Sequence, residues 1–228
     1  MATINKSVFE RIDKNKACLL VIDHQVGLFH MVKDIPPAEF KNNILAHASM
    51  AKLFGIPVIL TTSAESGPNG PLPQEILDMY PNIRVIRRDG EVNAWDCPEF
   101  RTAVKATGRT QFIVGGIVTE VCTTFVAMSL AEQGYTVYAN ADASGTGSVK
   151  AAEHANERMR SAGIHVYSMF AIVCDLMRDW RHSPGATEVM PWLDRYMPSY
   201  GYLQRAHGAA VKHGKVQPGQ HAPERPRL

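Results

Sequence analysis

At 228 residues, 45% of them hydrophobic, the chain has enough apolar material for one α/β domain with a sizeable core. A formal net charge of +2, with acids and bases interleaved, leaves no electrostatic footprint for nucleic acid or an anionic membrane surface, so the expected partner is a small molecule. The four cysteines (Cys18, Cys97, Cys122, Cys174) lie far apart without a C-x-x-C spacing, which argues against a zinc site or a disulfide framework and for a reducing cytoplasm. Residues 1–16 are polar without an apolar leader core, and no run reaches the roughly eighteen residues of a spanning helix; neither export nor a membrane partner is expected.

Residues 17–23, Ala-Cys-Leu-Leu-Val-Ile-Asp, form a continuous apolar run of the kind buried on both faces of a parallel sheet, with Asp23 where the strand should end. A helix with proline at its start follows from about 37 to 54, carrying apolar residues at Phe40, Ile44, Leu45 and Ala48, and Gly55 closes it. Residues 57–62 read as a second strand, 74–79 as a short helix after a Gly/Pro/Asn loop, and 83–87 as a third strand before the Asp89-Gly90 turn. A helix over 96–107 feeds a strand at 111–115. From Glu120 onward the apolar spacing becomes helical (Val121, Phe125, Met128), which puts Cys122 in the first turn of a helix. Unpaired N–H groups and the positive helix end there favour thiolate, the nucleophilic form; against this stands a cysteine that is merely packed as a small hydrophobe.

Further strands at 136–141 and 165–169, with helices over 149–162 and 171–181, complete the alternation. The pattern predicts a three-layer α/β/α domain with a six-stranded parallel sheet, spanning 1–206. Residues 207–228 are rich in His, Gly, Pro and Lys and read as a disordered tail. In such sheets ligands bind beyond the carboxyl ends of the strands, where Asp23, Arg88 and Cys122 coincide. A thiol between a carboxylate and a cation can give its proton to the one and be held as thiolate by the other.

The pieces Leu20-Val-Ile-Asp23-His-Gln25, Thr61-Thr62-Ser63, Asn93-Ala-Trp-Asp96, Gly115-Gly-Ile-Val-Thr-Glu-Val-Cys122 and Asp142-Ala-Ser-Gly145 together resemble the isochorismatase-like cysteine hydrolases, closest to a bacterial subgroup of oligomeric probable hydrolases without an assigned substrate. The resemblance implies Cys122 as nucleophile, Asp23 as base and Arg88 as the basic residue. It also implies a cis peptide at Val118–Thr119 that turns the N–H groups of Thr119 and Cys122 toward an oxyanion. A homo-oligomer, tetramer or octamer, is implied as well. Many relatives carry Lys at the basic position; Arg holds its proton, so proton transfer falls to Asp23. The metal-binding nicotinamidase branch uses histidines after the second strand, whereas residues 63–70 contain none, so no metal and no cofactor are expected.

Asn93 and Trp95 are candidate pocket residues. His24 beside Asp23 points to the opposite face of the strand and is read as structural. The Ser144-Gly-Thr-Gly-Ser148 loop lacks the third glycine of a nucleotide fingerprint and is better read as a turn with Ser148 capping a helix. The reading that emerges is a metal-free cysteine hydrolase of a small amide, ester or related group working through a thioester, with a non-catalytic ligand-binding or scaffold protein as the alternative. Strand alternation selects Arg88 over Arg87 as the residue facing Cys122.

Overall fold

The computed structural model describes residues 10–215. Six strands, β1 (Ala17–Ile22), β2 (Val58–Ser63), β3 (Ile86–Arg88), β4 (Gln111–Gly116), β5 (Thr136–Asn140) and β6 (His165–Tyr167), form one all-parallel sheet in the order β3-β2-β1-β4-β5-β6. Chain order reverses between β1 and β4, and this is the point where a crevice opens beyond the strand ends. The three-layer α/β fold expected from the alternating pattern is the one observed.

Because successive strand residues face opposite ways, β1 splits its apolar run between two cores. Leu19 and Val21 pack on one side with α1 (Pro37–Phe54), α6 (Met169–Met177) and α7 (Ala186–Tyr196); Cys18, Leu20 and Ile22 pack on the other with α3 (Pro98–Ala106), α4 (Thr124–Glu132) and α5 (Val149–Ser161). Each fully buried Leu or Ile contributes roughly 1.5–3 kcal/mol of transfer free energy. At the end of β4, Gly115 and Gly116 are required by close packing: a Cβ on Gly115 would stand 3.0 Å from His47 Nε2, and one on Gly116 would stand 2.6 Å from the Ile22 carbonyl.

Several boundaries move. The short helix at 74–79 forms as expected, as α2 (Gln74–Met79). The third strand contains only Ile86–Arg88, because residues 80–83 are still closing a turn, with the Ile83 N–H on the Tyr80 carbonyl. The last core strand ends at Tyr167, since Ser168 caps α6 by accepting from the Ala171 N–H at 3.4 Å, and α6 stops at Met177, where Arg178 adopts φ +69°. Pro191, inside α7, hid that helix in the sequence; the Glu188 carboxylate caps it by accepting from the Gly185 N–H at 2.8 Å.

α8 (Pro198–Lys212) carries helix across the expected tail boundary at 207, and residues 216–228 of that tail lie outside the described residues. At the other end of the chain, residues 1–9 of the polar arm lie outside them too. Residues 10–16 are held to the body of the domain: Ile12 is fully buried, its N–H donates to Asp175 at 2.7 Å, and the Asp13 N–H donates to the Gln111 side chain at 2.7 Å.

A buried polar chain ties α1 to the sheet. His47 Nε2–H donates to the Leu20 carbonyl at 3.1 Å while its Nδ1 accepts from Asn140 at 3.1 Å, and His24 Nε2–H donates to the Ala143 carbonyl at 2.7 Å. The two rings lie 5.9 Å apart edge to face. Burial pushes both imidazoles down from 6.5, His24 to about 3 and His47 to about 4. The folded chain therefore resists protonation that the unfolded chain accepts, so this stability is complete above about pH 6.5 and is lost as pH falls toward 4. We expect each histidine to lower the unfolding free energy by about 1.4 kcal/mol per pH unit in that window. His47→Gln should roughly halve the slope of stability against pH in urea titrations between pH 6 and 5; an unchanged slope would exclude this origin.

Candidate active site

The sequence-selected trio meets at the reversal point of the sheet. Asp23 follows β1 in the left-handed region (φ 56°), is fully buried, and accepts from the Thr61 hydroxyl at 2.7 Å on Oδ1. Its Oδ2 takes a short hydrogen bond from Arg88 Nη2, and both side chains of this ion pair are completely buried. Arg88 Nη1 also donates to the Glu91 carbonyl, so the loop after β3 wraps the guanidinium. The alternation rule picks the right arginine: Arg87 points outward and pairs with Glu65 at 3.0 Å, with 61% of its side chain exposed.

Cys122 lies in a wide π-type turn, Thr119–Thr123, that precedes α4; the turn is closed by the Thr123 N–H on the Val118 carbonyl at 3.3 Å. The expectation of a depressed thiol pKa is overturned. Burial pushes Cys122 up to about 12, the Asp23 charge and a hydrogen bond to the Asp23 carboxylate push the same way, and Arg88 with the Val118 N–H offsets them only in part. Burial is the largest cause, and at the sulfur the Asp23 carboxylate outweighs the Arg88 cation. Burial and the neighbouring carboxylate both favour the thiol over the thiolate.

Two details of the expected oxyanion site are also corrected. The cis peptide is Ile117–Val118, one residue before the expected Val118–Thr119, since the turn has already begun at Thr119. The Thr119 N–H is not free, because it donates to the Gly145 carbonyl at 3.1 Å. Val118, whose N–H points at the Cys122 sulfur, is the backbone donor at the site.

Asn93 has both ends of its amide engaged, accepting from the Trp95 N–H at 3.1 Å and donating to Ser129 at 3.0 Å; it caps a short 3-10 turn, Ala94–Asp96, and fastens it to α4. Trp95 packs edge-on to Phe100, with ring centroids 6.3 Å apart, and shares a core cluster with Cys122, which makes it wall more than hydrogen-bonding partner. The loop at 144–148 does structural work: Ser144 donates to the Asn140 carbonyl at 2.9 Å, and Ser148 caps α5 by accepting from the Ala151 N–H at 3.2 Å.

Residue-by-residue reading missed Gln25. Its side chain takes the Ser63 N–H at 2.7 Å and donates to the carbonyls of Ser63 and Gly70, pinning the loop after β2 against β1. A polar residue directly after an apolar strand and its terminal Asp was the available signal. Among the described residues no group of three or more His, Cys, Asp or Glu is placed to hold a metal ion. A cavity of about 470 Å³ opens at the amino end of β4, lined by Ile12, Gln111, Met177 and Arg178, at the opposite end of the strands from Asp23 and Cys122.

The Isochorismatase domain matches residues 17–176, from the first residue of β1 to the end of α6. The chain belongs to the isochorismatase family. It is 43% identical over 204 residues to the probable hydrolase YcaC of Escherichia coli K12, covering 90% of this chain and 97% of that protein. The structure of YcaC from Pseudomonas aeruginosa with hexane-2,5-diol and covalent acrylamide superposes with a TM-score of 0.85 at 44% identity, covering 88% of this chain and 98% of that one. The E. coli YcaC crystal structure, described as an octameric hydrolase of unknown specificity, matches equally well, with a TM-score of 0.85 and 44% identity over the same shares of the two chains. A Staphylococcus aureus nicotinamidase shares the fold at a TM-score of 0.57 and 17% identity, covering 67% of this chain and 99% of that one. The chain is thus an isochorismatase-family hydrolase.

The opposing influences on the thiol separate by mutation. With iodoacetamide at pH 8, Asp23→Asn should speed Cys122 alkylation and Arg88→Ala should slow it, each by about tenfold for every unit of thiol pKa moved. Arg87→Ala should leave the rate unchanged. An Arg87→Ala effect larger than that of Arg88→Ala would reverse the assignment of the facing residue.

Proposed function

We propose that this hydrolase cleaves a small amide, ester or related acyl compound through a covalent Cys122 thioester, with Asp23 as the proton carrier and Arg88 as a fixed positive charge. The observation that carries the proposal is the convergence of the Cys122 thiol on a carboxylate already paired to a buried arginine. A thiol held near pKa 12 is a weak nucleophile until its proton has somewhere to go, and Asp23 supplies that acceptor within hydrogen-bond reach.

In the first step the Cys122 Sγ attacks the substrate carbonyl carbon while its proton passes to Asp23. The resulting oxyanion is met by N–H groups of the Val118–Cys122 turn. Collapse breaks the bond to the leaving amine or alcohol, which takes the proton back from Asp23. A water molecule then gives a proton to Asp23 and attacks the thioester; the acid product departs and Cys122 regains its proton. Arg88 stays paired with Asp23 as a fixed positive charge and donates no proton itself. Nothing in this cycle requires a metal or an organic cofactor.

Incubation with a panel of small amides and esters, followed by intact-mass analysis, should give an acyl adduct that maps to Cys122 and disappears in Cys122→Ala. Hydrolysis that survives in Cys122→Ala would sink the thioester mechanism, and the absence of any adduct or turnover across the panel would favour the ligand-binding alternative.

We also propose that the chain works as a homo-oligomer, as the E. coli relative does. Tyr202 and Leu203, 65% and 61% exposed on α8, are more apolar surface than a free helix needs. Sedimentation at micromolar concentration should show an assembly, and Tyr202→Glu with Leu203→Glu should shift it toward smaller species. A monomeric parent protein would refute this.

A further inference from the structure

The geometry points to Thr146 as a positioning residue for the nucleophile's turn, holding Cys122 against Asp23 through Glu120. The inference rests on Cys122 being the reactive thiol but goes beyond the residues assigned to its chemistry. Thr146 touches neither Cys122 nor Asp23 in any hydrogen bond of the structure, so its influence must pass through the turn.

Thr146 is fully buried in the loop after β5, and every polar group it carries is engaged. Its hydroxyl donates to the Glu120 carboxylate at 2.5 Å. Its N–H donates to Asp34 at 2.7 Å, and its carbonyl accepts from the N–H groups of Lys33 at 2.7 Å and Asp34 at 3.2 Å. One residue earlier, the Gly145 carbonyl takes the Thr119 N–H, and Gly145 bridges Ile117 in parallel register. The loop is itself immobilised from behind: a Cβ on Gly145 would stand 2.6 Å from Val32 Cγ1 and 2.8 Å from Phe40.

The turn containing Cys122 is thereby held at three successive points, Ile117, Thr119 and Glu120, by two residues of another loop. The turn is a π-type insertion ahead of α4, and these bonds from a separate loop fix where it stands against the sheet. The Glu120–Thr146 bond is the only side-chain member of the three, and therefore the one that mutation can remove without altering the backbone.

The test reads Cys122 alkylation by iodoacetamide across pH in the full chain. Releasing the turn should move the sulfur away from Asp23 and toward solvent, the two influences that hold its pKa up. Thr146→Val should therefore lower the midpoint of the pH profile by about one unit, which raises the rate at pH 8 about tenfold. Thr146→Ser, which keeps the hydroxyl, should track the parent protein. Glu120→Ala should reproduce the Thr146→Val shift, and the double variant should shift no further than either single one. Should Thr146→Val fail to fold, the partly exposed Glu120→Ala carries the same comparison. Parent-like profiles in Thr146→Val and Glu120→Ala, or a Thr146→Ser profile equal to that of Thr146→Val, would overturn the positioning role. Parent protein labelled preferentially at Cys18, Cys97 or Cys174 would instead overturn the nucleophile assignment on which it rests.

Discussion

The buried ion pair between Asp23 and Arg88 is the constraint around which the carboxyl end of this sheet is built. Two opposite charges with no exposure are costly to bring out of water, and their attraction repays the cost only when the remaining hydrogen-bonding capacity is filled. The chain fills part of it, with the Thr61 hydroxyl from β2 on Asp23 and the Glu91 carbonyl from the loop after β3 on Arg88, and leaves Arg88 Nε buried without a partner; the left-handed turn at Asp23 brings the carboxylate to the pair. A well-packed apolar pair would serve stability as well or better. In the proposed reaction the charged pair acts on the adjoining sulfur, a task that an apolar pair could not perform.

That sulfur is governed by competition in which burial and the Asp23 carboxylate together outweigh the Arg88 cation. Arg88 would favour a thiolate if it stood alone, but what prevails at Cys122 is burial plus a carboxylate acceptor. In the proposed reaction this is an advantage. A permanently ionised cysteine is open to oxidation and to stray electrophiles, whereas a thiol that surrenders its proton only as it attacks is protected until substrate is in position.

Much of the architecture was legible because burial on both faces of a parallel sheet writes continuous apolar runs, and because helices close on residues such as Gly55, which sits in the left-handed region at φ 64°. Arg88 was legible from alternation alone. The direction of the Cys122 pKa was not, since it depends on burial and on which of two opposite charges weighs more at the sulfur, a fact that resides in contacts 65 and 99 residues apart in sequence, Arg88 to Asp23 and Cys122 to Asp23. The same holds for the Thr119 N–H: its partner is the Gly145 carbonyl on a separate loop, and no local pattern announces that. α7 escaped notice because Pro191 interrupts its periodicity, and α8 because a helix of small, mostly exposed residues has the composition of a linker.

The left-handed residue at Asp23 explains how neighbouring acidic and imidazole side chains come to serve different purposes. In a continuing strand, Asp23 and His24 would face opposite layers in fixed alternation; the positive φ breaks the strand between them, so both are fully buried yet belong to separate networks. Asp23 turns to Thr61, Arg88 and Cys122, while His24 turns to the Ala143 carbonyl and lies edge-on to His47 beneath α1. Ala143 opens the segment that continues to Gly145 and Thr146, the residues that fasten the nucleophile's turn. One backbone break after β1 thus places the carboxylate directly and, through His24, braces the loop that holds the turn of Cys122, so that the two groups of the proposed reaction are referenced to the same point in the chain.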